Sequence, residues 1–214
     1  MADLTIILAS GSPRRTQLLT DAGIKHVVHV ADVDESLEPD LLKQPAEACK
    51  KLAERKASAA VESYLADPTV AGIFMFIGAD TMVVEGGEIF GKPADAADAR
   101  RMLGRLSGVT HQVMTAVSLW MVSAQPGEDL GLYFRTLVET SDVTFHPLTA
   151  ADIDDYLACG ESWDKAGAYA IQGQGARLVK SVDGDWDNVV GLPVQRLLRD
   201  FPDLFAAGGE GQAE

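Results

Sequence analysis

Asp80 ends the run Ile77-Gly78-Ala79-Asp80, directly after the most apolar stretch of the chain. An acidic side chain at the carboxyl end of a buried strand points into the crevice where α/β sheets take their ligands. A carboxylate there can hold a divalent cation or take a proton from water. The competing reading is a helix or turn cap, but no helix pattern follows it. A second group opens the chain: Leu8-Ala9-Ser10-Gly11-Ser12-Pro13-Arg14-Arg15. Ser12 suits an N-cap and Pro13 a first helical position. A strand, a Gly/Ser turn and a helix start present free N–H groups and the positive end of a helix dipole to an anion. Arg14 and Arg15 add two guanidinium forks suited to phosphate oxygens. The segment is neither a GxxxxGK[ST] loop nor a GxGxxG fingerprint. Arginines on a first helical turn are usually solvated, so this segment alone leaves both readings open.

Other polar groups also sit at the ends of apolar elements. Gly91-Lys92-Pro93 can present one ammonium to a phosphate or can be ordinary surface. Glu35, in Asp34-Glu35, can ligate a metal, although the residues themselves favour a solvated pair. Lys56, in Glu54-Arg55-Lys56-Ala57, can reach a phosphate from its helix or serve as a surface i,i+4 partner. Asp164-Lys165-Ala166-Gly167-Ala168-Tyr169-Ala170-Ile171-Gln172-Gly173 is rich in small residues that allow close backbone approach to a ligand. Within it Lys165 supplies a cation, and Gln172 an amide able to bond a base edge. Asn188-Val189-Val190-Gly191-Leu192-Pro193 forms another Gly/Pro turn into a helix.

The elements that must position these groups alternate, which predicts an α/β fold. Leu4 to Leu8 reads as a buried strand, followed by a helix from the Ser12 cap that Gly23 stops. His26 to Ala31 reads as a second strand and Asp32 to Lys43 as an acidic connection. Pro45 to Ala66 reads as a long helix with Ala48, Leu52, Ala59 and Leu65 among its apolar positions. Val70 to Ile77 is expected as a central strand that Thr81 to Val84 continues, ending in a hairpin turn at Glu85-Gly86-Gly87-Glu88. Asp95 caps a helix to Ser107. Gln112 to Val122 and Leu132 to Phe145 read as partner strands around a Pro126-Gly127 loop. Thr149 to Cys159 reads as a capped helix, Gly175 to Val182 as a strand, and Pro193 to Asp200 as the last helix. One domain over residues 1–205 is expected, with a disordered tail at 206–214, Gly/Glu/Gln/Ala-rich from Gly208.

The chain has 214 residues, 47% of them apolar, enough for a sizeable core. A net charge of −14 argues against nucleic-acid binding. It also means that an anionic substrate must be drawn by local cations or a bound metal. No apolar run reaches the ~18 residues of a membrane span. Met1-Ala2-Asp3 opens straight into a strand, so no signal peptide is expected. Cys49 and Cys159 lack metal spacing and read as packing residues of a reduced, cytoplasmic protein. The four histidines, His26, His29, His111 and His146, form no ligand cluster.

Taken together, Ser10-Gly11-Ser12-Pro13-Arg14-Arg15, Gly78-Ala79-Asp80-Thr81, Gly91-Lys92-Pro93, Ser107-Gly108-Val109-Thr110-His111, Asp164 to Tyr169 and Asn188 to Pro193 resemble the Maf family, in family order from Leu4 to about Leu198. The resemblance implies a bilobed α/β fold of the kind shared with inosine triphosphate pyrophosphatases: a mixed twisted sheet flanked by helices, with the active-site cleft between the lobes. It implies hydrolysis of a nucleoside triphosphate to the monophosphate and pyrophosphate with a divalent cation, Mg²⁺ or Mn²⁺. Asp80 matches the family's catalytic acidic residue. Ser10, Arg15, Glu35, Lys56, Lys92 and Gln172 match positions around triphosphate, metal and base, with Glu35 and Asp80 as the metal carboxylates. Arg14, Thr81 and Gln172 match positions tied to substrate choice. Arg14 and Ile171-Gln172-Gly173 are similar to the dTTP/UTP branch, whereas the 7-methyl-GTP branch carries a bulky aromatic residue at the Arg14 position. The Phe74-Met75-Phe76 run departs from the family by its bulk. A homodimer is compatible with the resemblance. The competing readings are a pyrophosphatase for modified nucleotides and a nucleotide-binding regulator of cell division.

Overall fold

The computed structural model describes residues 4–125 and 129–206. The expected loop at Pro126-Gly127 and the tail beyond residue 206 lie outside the described residues. Among the described residues seven strands form one mixed sheet, ordered β2-β1-β3-β5-β6-β7, with β4 added to β3. The apolar run Leu4–Leu8 (β1) lies parallel to β3 (Gly72–Glu85), pairing Leu4 with Ile73 through Leu8 with Ile77. β5 (Thr110–Ala124) and β6 (Gly131–Phe145) run antiparallel along the rest of β3 and each other. Their length lets one sheet serve several apolar clusters. One gathers Ile6, Leu8, Met75 and Ile77 with Leu19 and Leu197. Another gathers Val83, Val113 and Phe145 with Leu103, Tyr156 and Tyr169.

Helices cover the sheet where the sequence places caps. α1 (Pro13–Asp21) starts at Pro13, but the Ser12 side chain makes no cap bond; its N–H donates to Ser10 Oγ at 3.3 Å. α2 (Pro45–Tyr64) buries Leu52, Ala53, Ala57, Ala60 and Val61, while Ala59 is only half-buried. The two-residue turn to β4 (Glu88–Phe90) uses Gly86 and Gly87 at φ +58° and +81°, the left-handed pair that such a turn requires. Asp95 caps α3 (Ala96–Leu106), accepting from Asp98 N at 2.8 Å. Thr149 and Asp152 form a reciprocal capping box on α4 (Ala150–Ala158).

Several expectations need correction. The second strand shrinks to β2 (Val27–Val28), because only Ile7 and Leu8 of β1 offer it a partner. Asp80, expected at the carboxyl end of a strand, lies within one: Gly78, Ala79 and Asp80 stay in β3, paired with Ser118, Val117 and Ala116. The strand over 175–182 gives way to a 3₁₀ turn over Gly173–Leu178, and β7 covers only Val179–Asp183. Short helices α5 (Trp186–Val190) and α7 (Pro202–Ala206) escape the sequence reading, while α6 (Val194–Asp200) matches it. Cys159 is exposed at the end of α4, not packed, whereas Cys49 is buried.

Candidate functional site

β1 ends at Leu8, but β3 runs on past its pairing limit at Ile77. Beyond that point the sheet has lost a neighbour, and a cleft opens on the side β1 has left. Asp80 lies three residues past the limit, so it reaches this cleft from mid-strand rather than from a strand end. The cavity measures about 770 Å³, and all nine residues singled out in the sequence, Ser10 through Gln172, line it. α1 brings Arg14 and Arg15; the turn after β4 brings Lys92; the irregular segment after α4 brings Gln172.

At the floor, Lys56 on α2 places Nζ 2.6 Å from Asp80 Oδ1 and 2.7 Å from Glu35 Oε1. One ammonium therefore joins the two carboxylates. Lys56 and Asp80 side chains are only 18% and 12% exposed, so this is not a solvated surface pair. Glu35 stays more open, and its contact with Lys56 holds its carboxyl below the usual range despite partial burial. Its loop is tied down by Arg55, whose Nη1 donates to the carbonyls of Asp34 and Ser36. Asp34 does behave as a solvated turn residue, accepting from Ser36 N and Oγ. Cys49 lies beneath, donating Sγ–H to the Asp80 carbonyl at 3.3 Å and accepting from Ala116 N. Burial pushes its thiol up to about 12, so it stays protonated.

Arg15 is buried at 9% exposure and makes only neutral contacts. Nε donates to Gly191 O at 2.8 Å, Nη1 to Ser10 Oγ at 3.0 Å and Nη2 to Thr81 Oγ1 at 3.1 Å. Burial lowers its pKa, with Asp80 as the main opposing charge. Arg14 stands nearer the mouth, 3.6 Å from Asp164, which Lys165 also contacts. Lys92 and Gln172 are exposed on the cavity wall. Among the described residues Arg15 and Lys92 form no ion pair, so their charge is available to an incoming anion within a protein that is acidic overall. Gly191 lines the cavity, and Thr115 and Asn188 stand behind it through hydrogen bonds. Asn188 and Gly191 lie in a segment singled out in the sequence without an assigned role, whereas Thr115 was missed, its one signal being a threonine in mid-strand.

A cleft that gathers unpaired cations at the open edge of a mixed sheet defines an α/β protein built to hold a multiply charged anion. Residues 5–203 match the family model described as Maf-like protein, and the chain belongs to the Maf family. It is 45% identical over 210 residues to a dTTP/UTP pyrophosphatase of Symbiobacterium thermophilum, covering 96% of this chain and 98% of that protein. It is 46% identical to a dTTP/UTP pyrophosphatase of Citrifermentans bemidjiense, covering 91% and 92%. Among solved structures, a nucleoside-triphosphatase / dITP/XTP pyrophosphatase of Mycobacterium abscessus covers 92% of this chain and 93% of its own at 11% identity and a TM-score of 0.35. That last likeness is too distant to carry an argument.

Proposed function

We propose that the chain is a nucleoside triphosphate pyrophosphatase that hydrolyses dTTP and UTP to the nucleoside monophosphate and pyrophosphate. The observation that carries this is the Glu35–Lys56–Asp80 cluster beside unpaired Arg15, in a chain whose relatives are named for that reaction. Water attacks the α-phosphorus in line, the bond to the pyrophosphate leaving group breaks, and the water proton passes to a carboxylate. Asp80 suits that task. Its Oδ1 is held by Lys56, while among the described residues Oδ2 has no hydrogen-bond donor and is left to accept a proton. Arg15 and Lys92 meet the phosphate charge, helped by the first-turn N–H groups of α1, which no side-chain cap engages.

The donor set fits a divalent cation. Glu35 and Asp80 offer hard carboxylate oxygens close enough to share one ammonium, and Mg²⁺ or Mn²⁺ is commonly held by one or two carboxylates plus substrate phosphates. Glu35 and Asp80 would hold such an ion, which would supply charge neutralisation for the phosphates and a more acidic water. Lys56 neutralises the same carboxylates without it. Arg14 and Gln172 lie on the cavity wall with polar groups able to read a pyrimidine edge, a readout that discriminates because a wrong base would cover these groups without pairing them. Two free thiols fit a reducing cytoplasm, and no helix among the described residues is long and apolar enough to cross a membrane.

The test is pyrophosphate release from canonical and modified triphosphates with Mg²⁺, Mn²⁺ or EDTA. Metal-dependent release from dTTP and UTP, with little from ATP or 7-methyl-GTP, is the expected result. Tight nucleotide binding without release would replace this reading with that of a nucleotide-binding regulator.

A further inference from the structure

Arg15 is a buried cation with no carboxylate in contact, so its orientation depends on neutral partners alone. Those partners lead away from the cleft along a chain. Thr81 Oγ1 lies 2.9 Å from Thr115 Oγ1 on the neighbouring strand. Thr115 Oγ1 donates to the main-chain carbonyl of Asn188 at 2.8 Å. The two ends set the direction of every proton between them. A guanidinium can only donate and a carbonyl can only accept. Thr115 therefore spends its proton on Asn188 and accepts from Thr81, and Thr81 spends its proton on Thr115 and accepts from Arg15. The Thr81 hydroxyl is committed at both ends.

Asn188 anchors the far end. It is 0% exposed. Its Oδ1 accepts from Thr115 N at 3.0 Å, and its Nδ2 donates to Val113 O at 3.0 Å and to Ser141 Oγ at 2.8 Å. The side chain thus ties α5 to both β5 and β6. Three residues on, Gly191 turns its carbonyl to Arg15 Nε from a φ of +132°, a conformation that L side chains rarely adopt. Asn188 reaches Arg15 by two routes, through the hydroxyls and through the Gly191 carbonyl. With Nε, one Nη1 proton and one Nη2 proton engaged, one proton on each Nη remains without a partner among the described residues. Two N–H donors fixed in the plane of one guanidinium suit a bidentate phosphate contact.

We propose that Asn188 and Thr115 are positioning residues that hold Arg15 with two N–H groups presented to the polyphosphate of the substrate, independently of the base. This rests on the reading of the cleft as a triphosphate site. The experiment compares the native protein with Thr115→Val, which removes the hydroxyl at nearly constant volume, and Thr115→Ser, which keeps it. Binding of inorganic tripolyphosphate is measured by calorimetry, beside kcat and KM on dTTP and UTP and the unfolding temperature. Thr115→Val is expected to weaken tripolyphosphate binding about tenfold. It should raise KM on both nucleotides in the same ratio, while Thr115→Ser stays within about twofold of native. Asn188→Ala should act in the same direction and more strongly; if it does not fold, the Thr115 pair decides. Equal binding by native and Thr115→Val, or equal losses in Val and Ser variants, would overturn the positioning role while leaving the triphosphate reading intact. No tripolyphosphate binding and no pyrophosphate release by the native protein would overturn both.

Discussion

Gly78 lies against the main chain of α2 so closely that a Cβ there would stand 2.4 Å from the Ala53 carbonyl oxygen and 2.7 Å from Ala57 N. The missing side chain lets the helix settle directly on β3. Asp80 is two residues along the strand, on the same face, and Lys56 lies between Ala53 and Ala57 on the helix. The close approach is what allows Lys56 Nζ to reach Asp80 Oδ1 at 2.6 Å. Gly78→Ala is therefore expected to destabilise the protein by about 1–3 kcal/mol, as overpacking does, and to reduce kcat by separating the two charges. Urea unfolding and dTTP turnover check both parts; unchanged stability would mean that α2 and β3 can part without cost.

Asp80→Asn keeps the shape of the side chain but removes its capacity to take a proton or pair with a cation. It should lower kcat at least ~100-fold with the fold retained. Steady-state kinetics on dTTP, with circular dichroism as control, measures it. Near-normal turnover would remove Asp80 from the mechanism.

Arg14 is part-exposed at the mouth, in contact with Asp164, while Arg15 is buried behind it. Adjacent arginines thus meet different parts of a ligand. Arg14→Ala should change the preference among dTTP, UTP and CTP about tenfold while leaving kcat on the best substrate within about threefold. Competition assays with mixed nucleotides read the preference directly, and equal losses on every nucleotide would count against a base-reading role.

His111 is buried beneath the segment that carries Gln172. Its Nε2 shares a hydrogen bond with Tyr169 OH at 2.8 Å, and its Nδ1 has no partner. Burial lowers its pKa to about 4, with Glu85 opposing the shift. The unfolded chain, with histidine near 6.5, takes up a proton before the folded one does. Stability from this group is complete above about pH 6.5 and is lost as pH falls towards 4, an effect of about 3 kcal/mol. Urea midpoints between pH 4.5 and 7 should fall less steeply in His111→Gln than in the native protein. Parallel slopes would show that His111 does not carry the transition.

Part of the site was legible because its motifs adjoin strongly patterned segments. The apolar run before Gly78, the Ser10-to-Arg15 turn and the Asp95 and Thr149 caps each follow from local backbone chemistry, and the structure keeps them. Glu35 was harder: an exposed acidic pair reads as solvated, and only Arg55, folding the loop onto α2, brings that carboxylate to Lys56. Asp80 was read at the carboxyl end of a strand, whereas paired β5 and the close helix carry β3 straight on through Gly78.

The sequence by itself determined the α/β alternation and the Asp95 and Thr149 caps, since these depend on residue type, period and spacing, while the nine residues around the cleft were named through the resemblance to the Maf family. Tertiary structure alone decided which charges are paired and which are free. Lys56 joins two carboxylates from separate segments, whereas Arg15, 176 positions from its Gly191 partner, meets only neutral groups. The physical reason is that pairing depends on distances and burial across the sheet, and no local pattern along the chain records them.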